Sequence, residues 1–210
     1  MSSPHQHLDT IVLAGGRGER MGGQDKGWVS LGNTTFIEAT LAAFTGTPIR
    51  PLISANRNLD RYREIAGGLG GLVVQDLDTS FRGPLGGLAA ASVHLQSDWV
   101  FIVPCDTPQL GPCFAKRMLA AAEAEPGVDG FMASDGERIQ ALHSLLRKSA
   151  LQQLPNFMAI PRERQPGMMA WVKQLTIREV NFSDSAQMFE NVNTPEALAS
   201  VRFADRQCRE

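Results

Sequence analysis

The sequence predicts a single three-layer α/β/α domain built on a mostly parallel sheet. Three observations point there. Apolar, β-branched runs recur along the chain, a helical pattern follows nearly every one, and glycines or acids punctuate the places where those runs end. Strands that are apolar on consecutive residues, not only on alternate ones, belong in a sheet covered on both faces.

Residues 10–13 (TIVL) read as a buried first strand running into Gly15 and Gly16. Residues 36–44 carry apolar spacing for a helix, and 49–56 return as a strand. Residues 59–67 form a polar-faced helix that Gly67 and Gly68 should stop, and 72–76 a third strand ending in Asp76. A helix is expected from about Leu85, then residues 98–106 (DWVFIVPCD), the most strand-like run in the chain. After Cys113 the pattern gives a helix to Glu125, strands at 130–133 and 141–146, and a helix after Lys148. A helix near 168–173 and a strand at 176–180 follow. Thr194, Pro195 and Glu196 mark a last helix as N-cap, first helical position and first-turn acid. No internal repeat or low-complexity linker suggests a second domain.

Composition narrows the partners. The 210 residues are 43% hydrophobic and 20% charged, enough apolar mass for one core. A net charge of -2 and a pI of about 6.1 supply no basic field for nucleic acid or an anionic membrane, so neither is expected as a partner. Cys105, Cys113 and Cys208 are widely spaced and odd in number, which argues against a disulfide framework or structural zinc. The first ten residues hold no apolar signal core, and no run is long enough to span a membrane. The expectation is a cytoplasmic protein.

In an open parallel sheet, ligands bind beyond the carboxyl ends of the strands. Gly15-Gly16, Asp76 and Asp106 all fall at such ends. The stretch from Leu13 to Lys26 holds Gly15, Gly16, Gly18, Gly22 and Gly23 together with Arg17, Arg20 and Lys26. Such a backbone can approach a ligand closely and aim N–H groups at phosphate oxygens, while the crowded cations call for an anion. It is not a Walker A loop, for no Gly-Lys-Ser/Thr follows at the required spacing. Nor is it a dinucleotide fingerprint, because the next helical pattern begins only at Phe36. A solvated surface loop is the alternative on composition alone.

Asp106 stands behind the apolar run 99–103, flanked by Pro104 and Pro108. That suits Mg2+, which takes only one or two carboxylates and completes its shell with water and substrate phosphates. Pro108 and Gly111-Pro112 set the next helix too far away for Asp106 to be its cap. Asp76 and the segment around Gly83 and Gly86-Gly87 could meet a base or phosphate, or form an ordinary turn into a helix. Capping accounts for Thr194 but not for Asn191 and Asn193, which are candidates for ligand or metal contact. Cys105 reads as a small buried hydrophobe and His143 as a satisfied interior residue, for neither has a catalytic partner nearby in sequence.

Together, Leu13-Ala-Gly-Gly16, Arg20-Met-Gly-Gly23, Asp25-Lys-Gly27, Gly83-Pro-Leu-Gly-Gly87, Pro104-Cys-Asp-Thr-Pro108 and Asn191-Val-Asn-Thr-Pro195 resemble the motifs of the molybdenum cofactor guanylyltransferases, in their order and over nearly the whole chain. The resemblance implies the nucleotide-diphospho-sugar transferase-like fold of nucleotidyltransferases and transfer of GMP from GTP to the phosphate of molybdopterin, with Mg2+. It implies one domain over 1–210, with a nucleotide-binding part at about 8–110, an acceptor part at about 111–203, and flexible ends at 1–7 and 204–210. By the same resemblance Leu13, Ala14, Gly15, Gly16, Lys26, Ser54, Asp76, Gly83 and Asp106 line the nucleotide site. Arg20, Lys26 and Asp106 carry the chemistry, Asp106 binds the metal, and Asn191 and Asn193 face the acceptor. Ser54 stands where an asparagine can contact the nucleotide, Gly18 where a serine is common, and Ala141 where a proline is frequent. Client molybdoenzymes or other cofactor-assembly proteins are possible partners. A cytidylyltransferase or sugar-1-phosphate nucleotidyltransferase would share the loop and the aspartate, and a non-catalytic cofactor carrier would need neither Arg20 nor magnesium.

Overall fold

Ile11 and Val12 are neighbours on one strand, yet each lies in a different hydrophobic core. That alternation, repeated by Leu52 and Ile53 and by Phe101 and Ile102, is how a doubly covered sheet arises from consecutive apolar residues. The computed structural model describes residues 7–15, 25–75, 83–160 and 166–201. All but His7 of the two ends expected to be flexible lies outside these residues.

The chain forms β1 (Leu8–Leu13), a 3-10 turn at Lys26–Trp28, a short hairpin of β2 (Ser30–Leu31) and β3 (Thr34–Thr35), and α1 (Phe36–Ala42). β4 (Ile49–Ser54), α2 (Leu59–Gly68), β5 (Leu72–Val74), α3 (Pro84–Ser92), β6 (Trp99–Pro104) and α4 (Cys113–Ala124) continue the alternation. The remainder is β7 (Gly130–Ser134), β8 (Ile139–Arg147), α5 (Lys148–Gln152), α6 (Leu154–Ala159), α7 (Met168–Val172), β9 (Ile177–Asn181), a 3-10 segment Ser183–Phe189 and α8 (Pro195–Ser200).

Seven strands make one sheet in the order β5-β4-β1-β6-β8-β7-β9. The protein is therefore α/β, with a mostly parallel sheet: β5, β4, β1 and β6 run together, and so do β7 and β9. β8 runs against both its neighbours. One core, with Phe44, Tyr62, Phe114 and Phe182, lies under α1, α2 and α4; the other, with Leu88, Leu151, Leu154 and Trp171, lies under α3, α5, α6 and α7. Among the described residues no helix is long and apolar enough to cross a membrane.

Boundaries differ from expectation where glycine was read too literally. Gly67 and Gly68 belong to α2, and the turn that ends the helix uses Gly70 at φ 69°. A helical glycine costs only about 1 kcal/mol, whereas a left-handed turn residue is where glycine is needed. β8 exceeds the expected strand at both ends, because its partners β6 and β7 supply pairing that local sequence does not announce. Cys113 is disulfide-bonded, which the wide cysteine spacing does not foretell.

At the amino edge of the sheet Asp9 is fully buried and fully engaged. Arg50 Nε donates to its Oδ1 at 2.7 Å, and the Ser97 N–H to its Oδ2 at 2.9 Å, with the Gln96 N–H beside it. Arg50 also donates to the His94 carbonyl at 2.7 Å. These bonds tie β1 to β4 and to the loop entering β6, which sets the level of the three strands. Asp9→Ala strands a partly buried guanidinium and two backbone donors, and should lower unfolding free energy by about 2–3 kcal/mol in urea titration.

Candidate active site

β1 has β4 on one side and β6 on the other, so the chain reverses its direction of winding at β1. In such sheets a crevice opens at the carboxyl edge of the reversal point. Here Leu13 lies level with Ser54 on β4 and Pro104 on β6, and all three line a cleft of about 710 Å³. Gly15, Lys26, Asn56, Gly83, Asp106 and Asn191 are also on its walls.

The first turn of α3 closes one side. Gly83 sits at φ 63° and ψ -155°, a backbone that favours glycine, and turns the chain into the helix. Gly87 packs on the strand ends so closely that a Cβ there would meet Ser54 Oγ at 2.3 Å and Leu13 Cδ2 at 3.2 Å. The positive end of the helix therefore faces the cleft, suited to an anion. Ser54 is covered by this helix, and Asn56, two residues farther on, shares the cleft wall.

Opposite α3 the wall is β8. Because β8 is antiparallel to β6, its amino-terminal half arrives at the edge where β6 ends. Met132 pairs with Ser144 but the next residue, Ala133, pairs with Gln140, so Ala141, Leu142 and His143 have no counterpart on β7. Gln140 and these three bulged residues line the cleft. Bulges re-aim side chains beside many sites.

At the centre Lys26 Nζ donates to Asp106 Oδ2 at 2.9 Å and to Asn193 Oδ1 at 2.5 Å. Lys26 and Asp106 keep 26% and 17% of their side-chain exposure, enough to reach a ligand without being solvated freely. Asn193 arrives through Val192, whose N–H donates to the Asp106 carbonyl at 2.8 Å and whose side chain packs with Val29, Leu31, Phe36 and Ala39. Thr194 then accepts from the Ala197 N–H and starts α8 as the sequence anticipates.

Comparisons with known proteins place the chain in a family. A model of the MobA-like NTP transferase domain matches residues 10–179. The chain belongs to that family. A molybdenum cofactor guanylyltransferase of Vibrio campbellii is 36% identical over 189 residues, covering 90% of this chain and 92% of the relative. One from Shewanella amazonensis is 38% identical over 197 residues, covering 94% and 96%. The crystal structure of molybdopterin-guanine dinucleotide biosynthesis protein A from Archaeoglobus fulgidus superposes with a TM-score of 0.69 at 21% identity, covering 91% and 95%, a likeness of fold.

In the structure Leu13, Gly15, Lys26, Ser54, Gly83, Asp106 and Asn191 meet at one cleft, with Asn193 hydrogen-bonded to Lys26 and Ala14 buried beside Gly15. Gly16, Arg20 and Asp76 lie outside the described residues. Asn193, expected on the acceptor side, hydrogen-bonds Lys26, expected on the nucleotide side. The sequence reading passed over Asn56 and the bulge of β8. Asn56 carried a signal, as a polar residue just past a strand end; the bulge carried none, since it exists only as a mismatch between two strands.

Cys105 is free and buried, and burial, with Asp106 next, raises its thiol pKa, so it is no nucleophile. His143 is interior but only half satisfied: Nε2 bonds the Thr107 hydroxyl at 2.9 Å, Phe114 and Phe189 pack edge-on against its ring, and Nδ1 has no partner among the described residues. Burial pushes its pKa down to about 3. An unfolded histidine titrates near 6.5, so below that pH the unfolded chain binds a proton that the fold refuses. The stability present above about 6.5 is lost progressively as pH falls toward about 3. Compared with wild type, His143→Leu should recover about 2 kcal/mol of relative stability between pH 7 and pH 5 in urea titrations.

Proposed function

We propose that the protein transfers GMP from GTP to the terminal phosphate of molybdopterin, releasing pyrophosphate. The observation that carries this is the meeting of Lys26, Asp106 and Asn193 in the cleft at the reversal point of the sheet. Membership of the MobA-like NTP transferase family supports the reaction class, and the guanylyltransferase names of relatives at 36% and 38% identity support guanine as the base and molybdopterin as the acceptor.

A phosphate monoester has its second pKa at about 6, so the acceptor reaches the site already able to attack. No general base is required, which suits a cleft whose histidine is held neutral in the interior. The barrier lies instead in bringing two polyanions together and in the charge that accumulates on departing pyrophosphate. Lys26 Nζ binds phosphate oxygens and neutralises part of that charge. Backbone groups at Leu13, Ala14 and Gly15, with the first turn of α3, hold the nucleotide against the sheet edge. Asn191 and Asn193 orient the acceptor phosphate beside Lys26, and Arg20 and Asp76 complete the nucleotide site on sequence grounds.

Asp106 suits Mg2+. Its carboxylate opens on the cleft and already faces a cation, and the Asn193 side-chain oxygen, a second hard donor, binds that same cation. No cluster of three or more acidic, histidine or cysteine side chains occurs among the described residues. Such a sparse set fits magnesium, which fills its shell with water and substrate phosphates. When bound, the ion would screen phosphate charge and polarise the phosphoryl group. GTP as substrate is in keeping with a cytoplasmic enzyme, and delivery of the product to client molybdoenzymes would follow transfer.

Pyrophosphate release is the test, with GTP, CTP and ATP each offered with molybdopterin or a sugar phosphate. GTP with molybdopterin should alone give sustained release. Release with CTP, or with the sugar phosphate, would replace the reading by one of its cytidylyl or sugar relatives; release with no pair would leave a carrier. Asp106→Ala should abolish turnover while circular dichroism shows a folded protein. Lys26→Ala should lower kcat/KM for GTP by about a hundredfold or more, the scale of losing one preorganised charge-stabilising group.

A further inference from the structure

Lys26 is flanked by residues that all lean on one buried phenol. Asp25, the residue before it, is buried, and its carboxylate accepts three hydrogen bonds. Oδ1 receives the Tyr62 hydroxyl at 2.6 Å and the Gly27 N–H at 3.3 Å, and Oδ2 receives the Asn58 amide at 2.9 Å. Gly27, the residue after it, lies against the phenol so closely that a Cβ would meet the Tyr62 oxygen at 2.2 Å. Trp28 packs against the Tyr62 ring with centroids 4.9 Å apart and planes tilted by 43°, and the Arg61 guanidinium lies 3.7 Å over the indole.

These contacts are held at a conformational cost. Asn58, at the start of α2, has φ 49° and ψ 36°, a left-handed backbone that costs any residue but glycine something and that asparagine tolerates better than most. It keeps that conformation while its amide holds Asp25. Tyr62 is fully buried, and burial together with the bond to Asp25 raises its pKa far above neutrality, so it stays a donor. A buried tyrosine hydroxyl that bonds a loop carboxylate, not its own helix, constrains the loop.

We infer that Tyr62, acting through the carboxylate of Asp25, is a positioning residue for Lys26. It pins the chain on both sides of the lysine, so that Nζ is aimed at Asp106 and at the phosphates that pass between them. The inference rests on the reading of Lys26 as the phosphate-binding group. It explains why Gly27 tolerates no side chain and why α2, which contributes nothing to the cleft wall directly, carries a strained asparagine at its start.

Tyr62→Phe removes one hydroxyl and leaves the ring in the core, so the fold should persist. Asn58→Gly removes the second donor while relieving the left-handed strain, and serves as an independent variant. Pyrophosphate release from GTP with molybdopterin should fall about tenfold in kcat for each, with KM for GTP changed far less, as expected of a misaimed group. In the Lys26→Ala background Tyr62→Phe should cost nothing further, since the lysine through which it acts is gone. Without substrate, acetylation of Lys26 by acetic anhydride, followed by mass spectrometry, should run several times faster in Tyr62→Phe than in wild type. Wild-type turnover in Tyr62→Phe, an unchanged acetylation rate, or a loss that multiplies in full onto Lys26→Ala would each overturn the assignment. Should wild-type protein release no pyrophosphate from GTP, the functional reading fails by itself, and the acetylation rates still decide the positioning.

Discussion

The contact between Lys26 and Asp106 joins residues 80 positions apart, and the geometry of the cleft is organised around it. Neither charge is fully solvated, so each serves as the counter-ion that makes the other tolerable at the edge of the core. A cation and an anion held 2.9 Å apart, with an amide oxygen on the same cation, form a fixed polar centre at the cleft. Preorganisation of this kind is what a reaction between two polyanions demands, because bulk water would otherwise have to reorient around the developing charge.

Three separate devices deliver the partners. The parallel register of β1, β4 and β6 places Leu13, Ser54 and Pro104 side by side, and Asp106 follows two residues beyond the end of β6. A small apolar cluster, Val192 with Val29, Leu31, Phe36 and Ala39, seats the asparagine segment against the chain that carries Lys26. Hydrophobic burial is not directional, so the aim comes from the alternation within Asn191-Val192-Asn193: the valine goes inward, leaving Asn191 on the cleft wall and Asn193 on the lysine. The third device is the reversed strand β8, whose extra residues turn toward the site only because their partners on β7 run out of register.

Much of the fold was legible, since its signals are local. Consecutive apolar residues in residues 10–13 and 98–106 required a sheet covered twice, and the switches from strand-like to helical spacing ordered the elements. Part of the site was legible for the same reason. Glycines and carboxylates at strand ends mark the ligand edge of a parallel sheet whatever the ligand is. His143 shows the limit. Its place in an apolar run correctly predicts an interior residue, but that one ring nitrogen would bond Thr107 while the other bonds nothing depends on neighbours from three other segments.

By itself the sequence determined the layered architecture and the strand ends at which glycines and carboxylates gather, because periodicity, glycine content and charge act over a few residues. Tertiary structure alone decided that Lys26, Asp106 and Asn193 share hydrogen bonds, that β8 reverses and bulges into the cleft, and that Tyr62 and Asn58 hold Asp25. These are contacts between segments tens of residues apart. Their geometry is set by strand register and by the way side chains fill the two cores, which pattern along the chain does not encode.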